Sequence, residues 1–96
     1  MTGEIPGWYS KLLHEVMEEV KAAHAKHDRP FPASDPVRSA ALLAEECGEA
    51  AAEALALTRP GADVVSLRAA LRAEVLHCAA TCFMWLEGMD DGRRKE

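Results

Sequence analysis

Residues 42–53 read Leu-Leu-Ala-Glu-Glu-Cys-Gly-Glu-Ala-Ala-Ala-Glu, an alanine-rich run whose composition favours a helix. The run contains four glutamates: Glu45, Glu46, Glu49 and Glu53. No Lys or Arg lies between Arg38 and Arg59 to neutralise them. Two glutamates four residues apart on a helix destabilise it by about 0.2–0.5 kcal/mol. A cluster that carries this cost without a local counter-charge indicates a cation from outside the chain, most simply a divalent metal ion.

The helix that holds this run has recognisable ends. Asp35 is a favourable N-cap, and Pro36 suits the first helical position because its missing N–H would be unpaired there anyway. The Arg-Pro-Gly sequence at 59–61 stops the helix, so we expect it over about 36–58. Asp63 then caps a further helix over about 64–87. Gly88 takes its C-cap position, before a polar tail at 88–96.

A first helix is predicted over about 8–27, before three closely spaced prolines interrupt the chain. Its apolar residues follow the spacing of one helical face: Trp8, Leu12, Leu13, Val16, Met17, Val20 and Ala23. No alternation typical of strands occurs. We therefore expect residues 1–96 to form one all-α domain, an antiparallel bundle of three main helices. The apolar stripes are wider than so short a chain can bury alone, so we expect oligomerisation to a homodimer or homotetramer.

Composition narrows the classes of partner. The net charge of −5 argues against binding to nucleic acid or to an acidic membrane surface. No apolar run reaches the length of a transmembrane helix, and the N-terminus lacks the features of a secretory signal. An odd number of cysteines, Cys47, Cys78 and Cys82, indicates reduced thiols in the cytoplasm and leaves their role open.

The third helix carries a second set of metal-capable side chains. Glu74 lies within an apolar stretch, and His77 follows on the same side of the helix. Two helices joined by a short turn would bring this pair to Glu46 and Glu49, as in carboxylate metal sites of helical bundles. Oxygen ligands favour Mg²⁺, whereas a histidine among them shifts the preference towards Mn²⁺. The alternative is that these glutamates form an ordinary solvated helix face.

The two segments together resemble a known family. Residues 42–53, followed by Glu74-Val-Leu-His77, are similar to the MazG-like branch of the all-α nucleoside triphosphate pyrophosphohydrolases. That family carries an EExxE motif on one helix and an ExxD motif on the next. Here Glu45, Glu46 and Glu49 match the first motif, and Glu74 begins the second. The resemblance covers about half of the chain.

The resemblance implies a chemistry and a set of roles. The family hydrolyses a (d)NTP between its α and β phosphates and releases NMP and pyrophosphate, with Mg²⁺ or Mn²⁺ as cofactor. Carried over, Glu46, Glu49 and Glu74 are expected metal ligands, with His77 as a fourth, and Glu45 is expected to activate the attacking water. His77 replaces the family's Asp, which removes one negative charge and should weaken Mg²⁺ binding.

Substrate contacts are less clearly marked in the sequence. Trp8 could stack on a nucleobase, although a core or interface role is the simpler interpretation. Arg59 and Arg72 flank the turn between the last two helices and could contact phosphates. Because His77 departs from the family pattern, the alternative function is a catalytically inactive, oligomeric MazG-like protein that binds nucleotides or regulates a partner.

Overall fold

The computed structural model describes residues 5–26 and 31–94, with side chains as far as Asp90. It contains three helices, α1 (Gly7–Lys26), α2 (Pro36–Ala56) and α3 (Val64–Arg94), and no strand among these residues. The predicted all-α class is confirmed. The long helix α3 packs against both α1 and α2 and is the centre of the bundle. His27, the expected last residue of the first helix, lies outside the described residues.

The start of each later helix follows the predicted capping chemistry. The Asp35 carboxylate accepts a hydrogen bond from the Arg38 backbone N–H at 3.0 Å, and proline occupies the first turn of α2. Asp63 accepts from the Ser66 backbone N–H at 3.3 Å and from its hydroxyl at 2.9 Å. These bonds lower the pKa of the Asp63 carboxyl. Between the helices, Gly61 has a φ of +75°, which explains why a glycine ends the turn.

The predicted end of the third helix is wrong. Helix α3 continues past Glu87 to Arg94, so Gly88 lies inside the helix and the expected polar tail is helical over most of its length. A Cβ atom placed on Gly88 would overlap the carbonyl oxygen of Phe31. Glycine is therefore needed here because another part of the backbone passes close to the helix, not because the helix stops.

The core is small for three helices. Among the described residues its buried apolar members are Val20, Phe31, Ala80 and Met84, and Ala23, Leu42 and Trp85 pack against them. The radius of gyration of the Cα atoms is 16.0 Å, whereas a compact domain of this length has about 12.5 Å. Many large apolar side chains stay exposed on α1 and α3: Trp8, Leu12, Leu13, Met17, Val75, Phe83, Leu86 and Met89. A single chain thus leaves much of its apolar surface uncovered.

The face that α1 turns towards α3 differs from its most apolar stripe. Of the predicted apolar face, Val20 is buried, whereas Leu12, Leu13 and Met17 are exposed. Charged groups cross this contact instead: His24 bonds Glu87 at 2.9 Å.

None of the three helices, over the described residues, has an apolar stretch of the length needed to span a membrane.

Candidate functional site

Side chains from α2 and α3 meet at one point of the helix contact. Glu46 of α2 and both Glu74 and His77 of α3 each place one potential ligand atom within 4.8 Å of the other two. The spacing of Glu74 and His77, three residues apart, puts both on the side of α3 that faces α2. These are the first and last residues of the predicted second motif, and the structure brings them to a glutamate of the first.

Two carboxylate oxygens at this point are buried and accept no hydrogen bond from the described residues. Oε2 of Glu46 and Oε2 of Glu74 are out of contact with solvent, and neither has a hydrogen-bond partner within the described part of the chain. A buried polar atom that lacks a partner costs about 1–3 kcal/mol, and more when it is charged. Glu74 is the more enclosed of the α3 pair, with 23 % of its side chain exposed. The arrangement is therefore unfavourable unless a positive group completes it.

Glu49 extends the acidic group by one helical turn. The pKa of its carboxyl is raised by a hydrogen bond shared with the Glu74 carboxyl and by the negative charges of Glu46 and Glu74. The negative charges gathered at this point attract a positive ligand.

His77 lies between two helices and contacts a carboxylate on each. Its Nδ1 is 3.6 Å from Oε2 of Glu74, and its Nε2 is 3.4 Å from Oε2 of Glu19 on α1. Sequence reasoning missed Glu19, because the apolar spacing of α1 assigned it to the solvent side. A signal was available: the small residue Ala23 lies one helical turn after Glu19, and it packs against the core.

A groove of about 440 Å³ leads away from this cluster. Glu45, predicted to act on water, lines it beside Glu46, while Glu49, Glu53 and Glu74 do not. Two cationic side chains, Lys26 of α1 and Arg38 of α2, line the same groove. Neither was singled out from the sequence, because nothing in the linear order relates the end of the first helix to the start of the second.

The weaker candidates from the sequence lie elsewhere. Arg72 forms a two-pronged ion pair with Glu15, at 2.7 and 3.1 Å, and this hydrogen bonding lowers the pKa of the Glu15 carboxyl. Trp8 stacks on Tyr9, with ring centroids 3.8 Å apart, and is 59 % exposed. Neither Trp8, Arg59 nor Arg72 lines the groove.

The cysteines are free thiols near the α2–α3 contact. Burial raises the pKa of the Cys78 thiol to about 11, and Cys47 contributes to the shift. Cys47 and Cys82 are exposed. A raised pKa keeps Cys78 protonated near neutral pH, so this thiol is a poor nucleophile and a poor metal ligand.

The Glu46, Glu74 and His77 cluster matches the donor chemistry of a divalent ion. Ligands of Mg²⁺ lie about 2.1 Å from the ion, so two of them stand at most about 4.2 Å apart. The observed separations, up to 4.8 Å, need only a small side-chain movement to reach this geometry. Two carboxylates with one imidazole suit Mn²⁺ better than Mg²⁺, because nitrogen is a poor ligand for the harder ion.

Comparison of the chain with protein-family models, with curated proteins and with solved structures finds no match.

Proposed function

We propose that the protein is a metal-dependent nucleoside triphosphate pyrophosphohydrolase that converts a (d)NTP and water into NMP and pyrophosphate. The support is threefold. Glu45, Glu46, Glu49 and Glu74 match the two family motifs, the second motif meets Glu46 at the α2–α3 contact, and a groove large enough for a small molecule adjoins it. Antiparallel pairing of α2 and α3 is part of the proposal.

One observation carries the metal assignment. Buried oxygens of Glu46 and Glu74 accept no hydrogen bond from the described residues, so a positive ligand would satisfy them, and His77 supplies a nitrogen within reach of both. In this proposal Glu46, Glu49, Glu74 and His77 hold Mn²⁺ or Mg²⁺. The bound ion would neutralise charge on the phosphate oxygens.

The residues of the chain supply the remaining chemistry. Glu45 lines the groove beside the ligand set, where its carboxylate can orient water and accept its proton. The water oxygen forms a bond to the α phosphorus, and the bond from that phosphorus to the bridging oxygen breaks. The electron pair leaves with the pyrophosphate.

The test is a panel of nucleoside triphosphates assayed for pyrophosphate release with Mg²⁺ and with Mn²⁺. Glu74→Gln and Glu46→Gln should lower the rate by at least 100-fold. Glu53→Gln is the matched control, because this residue shares helix α2 but matches neither family motif and lies outside both the cluster and the groove. Full activity in Glu74→Gln would refute the proposal.

A second function is supported by the position of His77. An imidazolium at this position would direct one N–H towards Glu19 and the other towards Glu74, and would so take the place of a metal. The protein would then be an inactive relative that binds nucleotides or regulates a partner. Calorimetric titration at pH 7 separates the two: this candidate predicts no Mn²⁺ binding. Micromolar binding that is lost in Glu49→Gln would exclude it.

A variant tests the departure from the family pattern directly. His77→Asp restores the fourth carboxylate and should increase Mg²⁺-dependent activity relative to the unmodified protein. If both proteins are inactive with every nucleotide and both metals, the enzymatic proposal fails.

We further propose a homodimer or homotetramer in the cytoplasm. The exposed apolar residues of α1 and α3 support an interface between copies, because a monomer leaves them uncovered. The free cysteines agree with a reducing compartment. Light scattering at several protein concentrations tests the assembly, and a monomer at all of them would contradict it.

A further inference from the structure

The groove beside the acidic cluster has two ends of opposite charge. At one end lie Glu19, Glu46 and His77. Along α3 the groove continues from His77 to Met84, a distance of about 10 Å at 1.5 Å per residue. Lys26 lies beyond Glu19 on α1, towards this far end.

Contacts between the helices establish the position of the basic end. Glu19 lies beside His77, whereas His24 bonds Glu87 further along α3. The last residues of α1, Lys26 among them, therefore lie towards the C-terminal part of α3. On α2, Leu42 packs against the core that contains Met84. Arg38 precedes Leu42 by one helical turn and so lies at the same end of the groove as Lys26.

The two cations are available to bind an anion. Within the described chain, the side chains of Lys26 and Arg38 have no ion-pair partner, in contrast to Arg72, which Glu15 neutralises. Both are exposed at the mouth of the groove. In a chain with a net charge of −5, two cations that line the same groove as the acidic cluster and pair with none of the described residues need an explanation.

We propose that Lys26 and Arg38 bind the terminal phosphates of the substrate, so that its triphosphate tail points along the groove away from the acidic cluster. This inference rests on the proposed function. Hydrolysis between the α and β phosphates leaves the new negative charge on the oxygen that had joined them, which becomes a terminal oxygen of pyrophosphate. Two cations on that side stabilise the leaving group, and the nucleoside lies on the opposite side of the cluster.

The alternative occupant of the basic end is the nucleobase. A base offers neutral carbonyl acceptors, which a single donor satisfies, whereas a terminal phosphate carries the charge that a guanidinium and an ammonium together match. The charge of the pair therefore favours phosphate.

Calorimetry with inorganic tripolyphosphate tests the assignment without any choice of base. Titrations are made with and without Mn²⁺ on the unmodified protein, Lys26→Met, Arg38→Met and the control Arg68→Met, an exposed residue of α3 outside the groove. Each groove variant should weaken tripolyphosphate binding about tenfold, while Arg68→Met leaves it unchanged. Mn²⁺ affinity measured alone should be the same in all four proteins.

The same titrations separate the failure of this inference from the failure of the proposed function. If the unmodified protein binds Mn²⁺ but tripolyphosphate affinity does not change in Lys26→Met or Arg38→Met, the inference is overturned and the metal site stands. If Mn²⁺ does not bind, the proposed function fails, while the metal-free titration still tests the two cations. The inference is also overturned if the unmodified protein does not bind tripolyphosphate, either with or without Mn²⁺. It is overturned as well if the groove variants bind deoxynucleoside monophosphates more weakly while their tripolyphosphate affinity is unchanged.

Discussion

Two glycines inside helices should respond in opposite directions to the same substitution. Gly48 lies in the middle of α2, and a Cβ added there would meet nothing within 4 Å. Gly88 lies inside α3, and a Cβ there would overlap the carbonyl oxygen of Phe31. Gly48→Ala and Gly88→Ala therefore make the same chemical change in two different surroundings.

The magnitudes follow from two terms. Replacement of Gly by Ala inside a helix stabilises the folded state by about 1 kcal/mol, because the unfolded chain loses less conformational freedom on folding. This term is common to both variants. At Gly88 the added methyl must push the Phe31 backbone away from α3, and overpacking of this kind costs about 1–3 kcal/mol. Gly48→Ala should thus gain about 1 kcal/mol, and Gly88→Ala should lose up to about 2 kcal/mol.

Urea denaturation followed by circular dichroism measures both free energies of unfolding. Because the helix term cancels, the difference between the variants reports the cost of the contact with Phe31 alone, about 1–3 kcal/mol. A thermal scan should show the same order, with about 4–8 °C of melting temperature for each kcal/mol. If Gly88→Ala stabilises the protein as much as Gly48→Ala does, the close approach of residue 31 to α3 is wrong.

Three further outcomes are expected. Because Arg72 lowers the pKa of Glu15 below its ordinary 4.5, this pair stabilises the fold above that pH, and its contribution is lost as the pH falls. Arg72→Met should therefore reduce the loss of stability that is measured between pH 7 and pH 3. An unchanged pH dependence would contradict the pairing. Removal of the α2 cap in Asp35→Ala should cost about 1 kcal/mol in urea denaturation, whereas a neutral result would mean that the cap is dispensable. Cys78, with its pKa raised to about 11, should react with iodoacetamide more slowly at pH 8 than exposed Cys47. Mass spectrometry of the alkylated peptides gives the two reaction rates, and equal rates would contradict the burial of the Cys78 thiol.

The helices and their starting points could be read from local sequence. Asp35 and Asp63 cap their helices because a short carboxylate bonds the free N–H groups of the first turn, an interaction between residues three apart that needs no tertiary contact. The i, i+3 placement of Glu74 and His77 on one face follows from the helix repeat in the same way.

Other features depended on which segments come close in space. The glycine at position 88 predicts the end of a helix. In the structure the backbone at Phe31 passes close to Gly88, and the helix continues. The apolar spacing of α1 places Glu19 on the solvent side. In the structure Glu19 lies beside His77, because α1 packs on α3 with a partly charged face. The grouping of Lys26 with Arg38 in one groove is likewise set by the packing.

The chain's own order of residues therefore determined the all-α class, the caps and the acidic motifs, since each arises from neighbours within about one helical turn. Tertiary structure alone decided which motif residues meet, which face of α1 is covered, and where Lys26 and Arg38 lie relative to the acidic cluster. The physical reason is that helix periodicity defines faces along a single segment, whereas the choice between faces is made by packing against a partner that the local pattern does not specify.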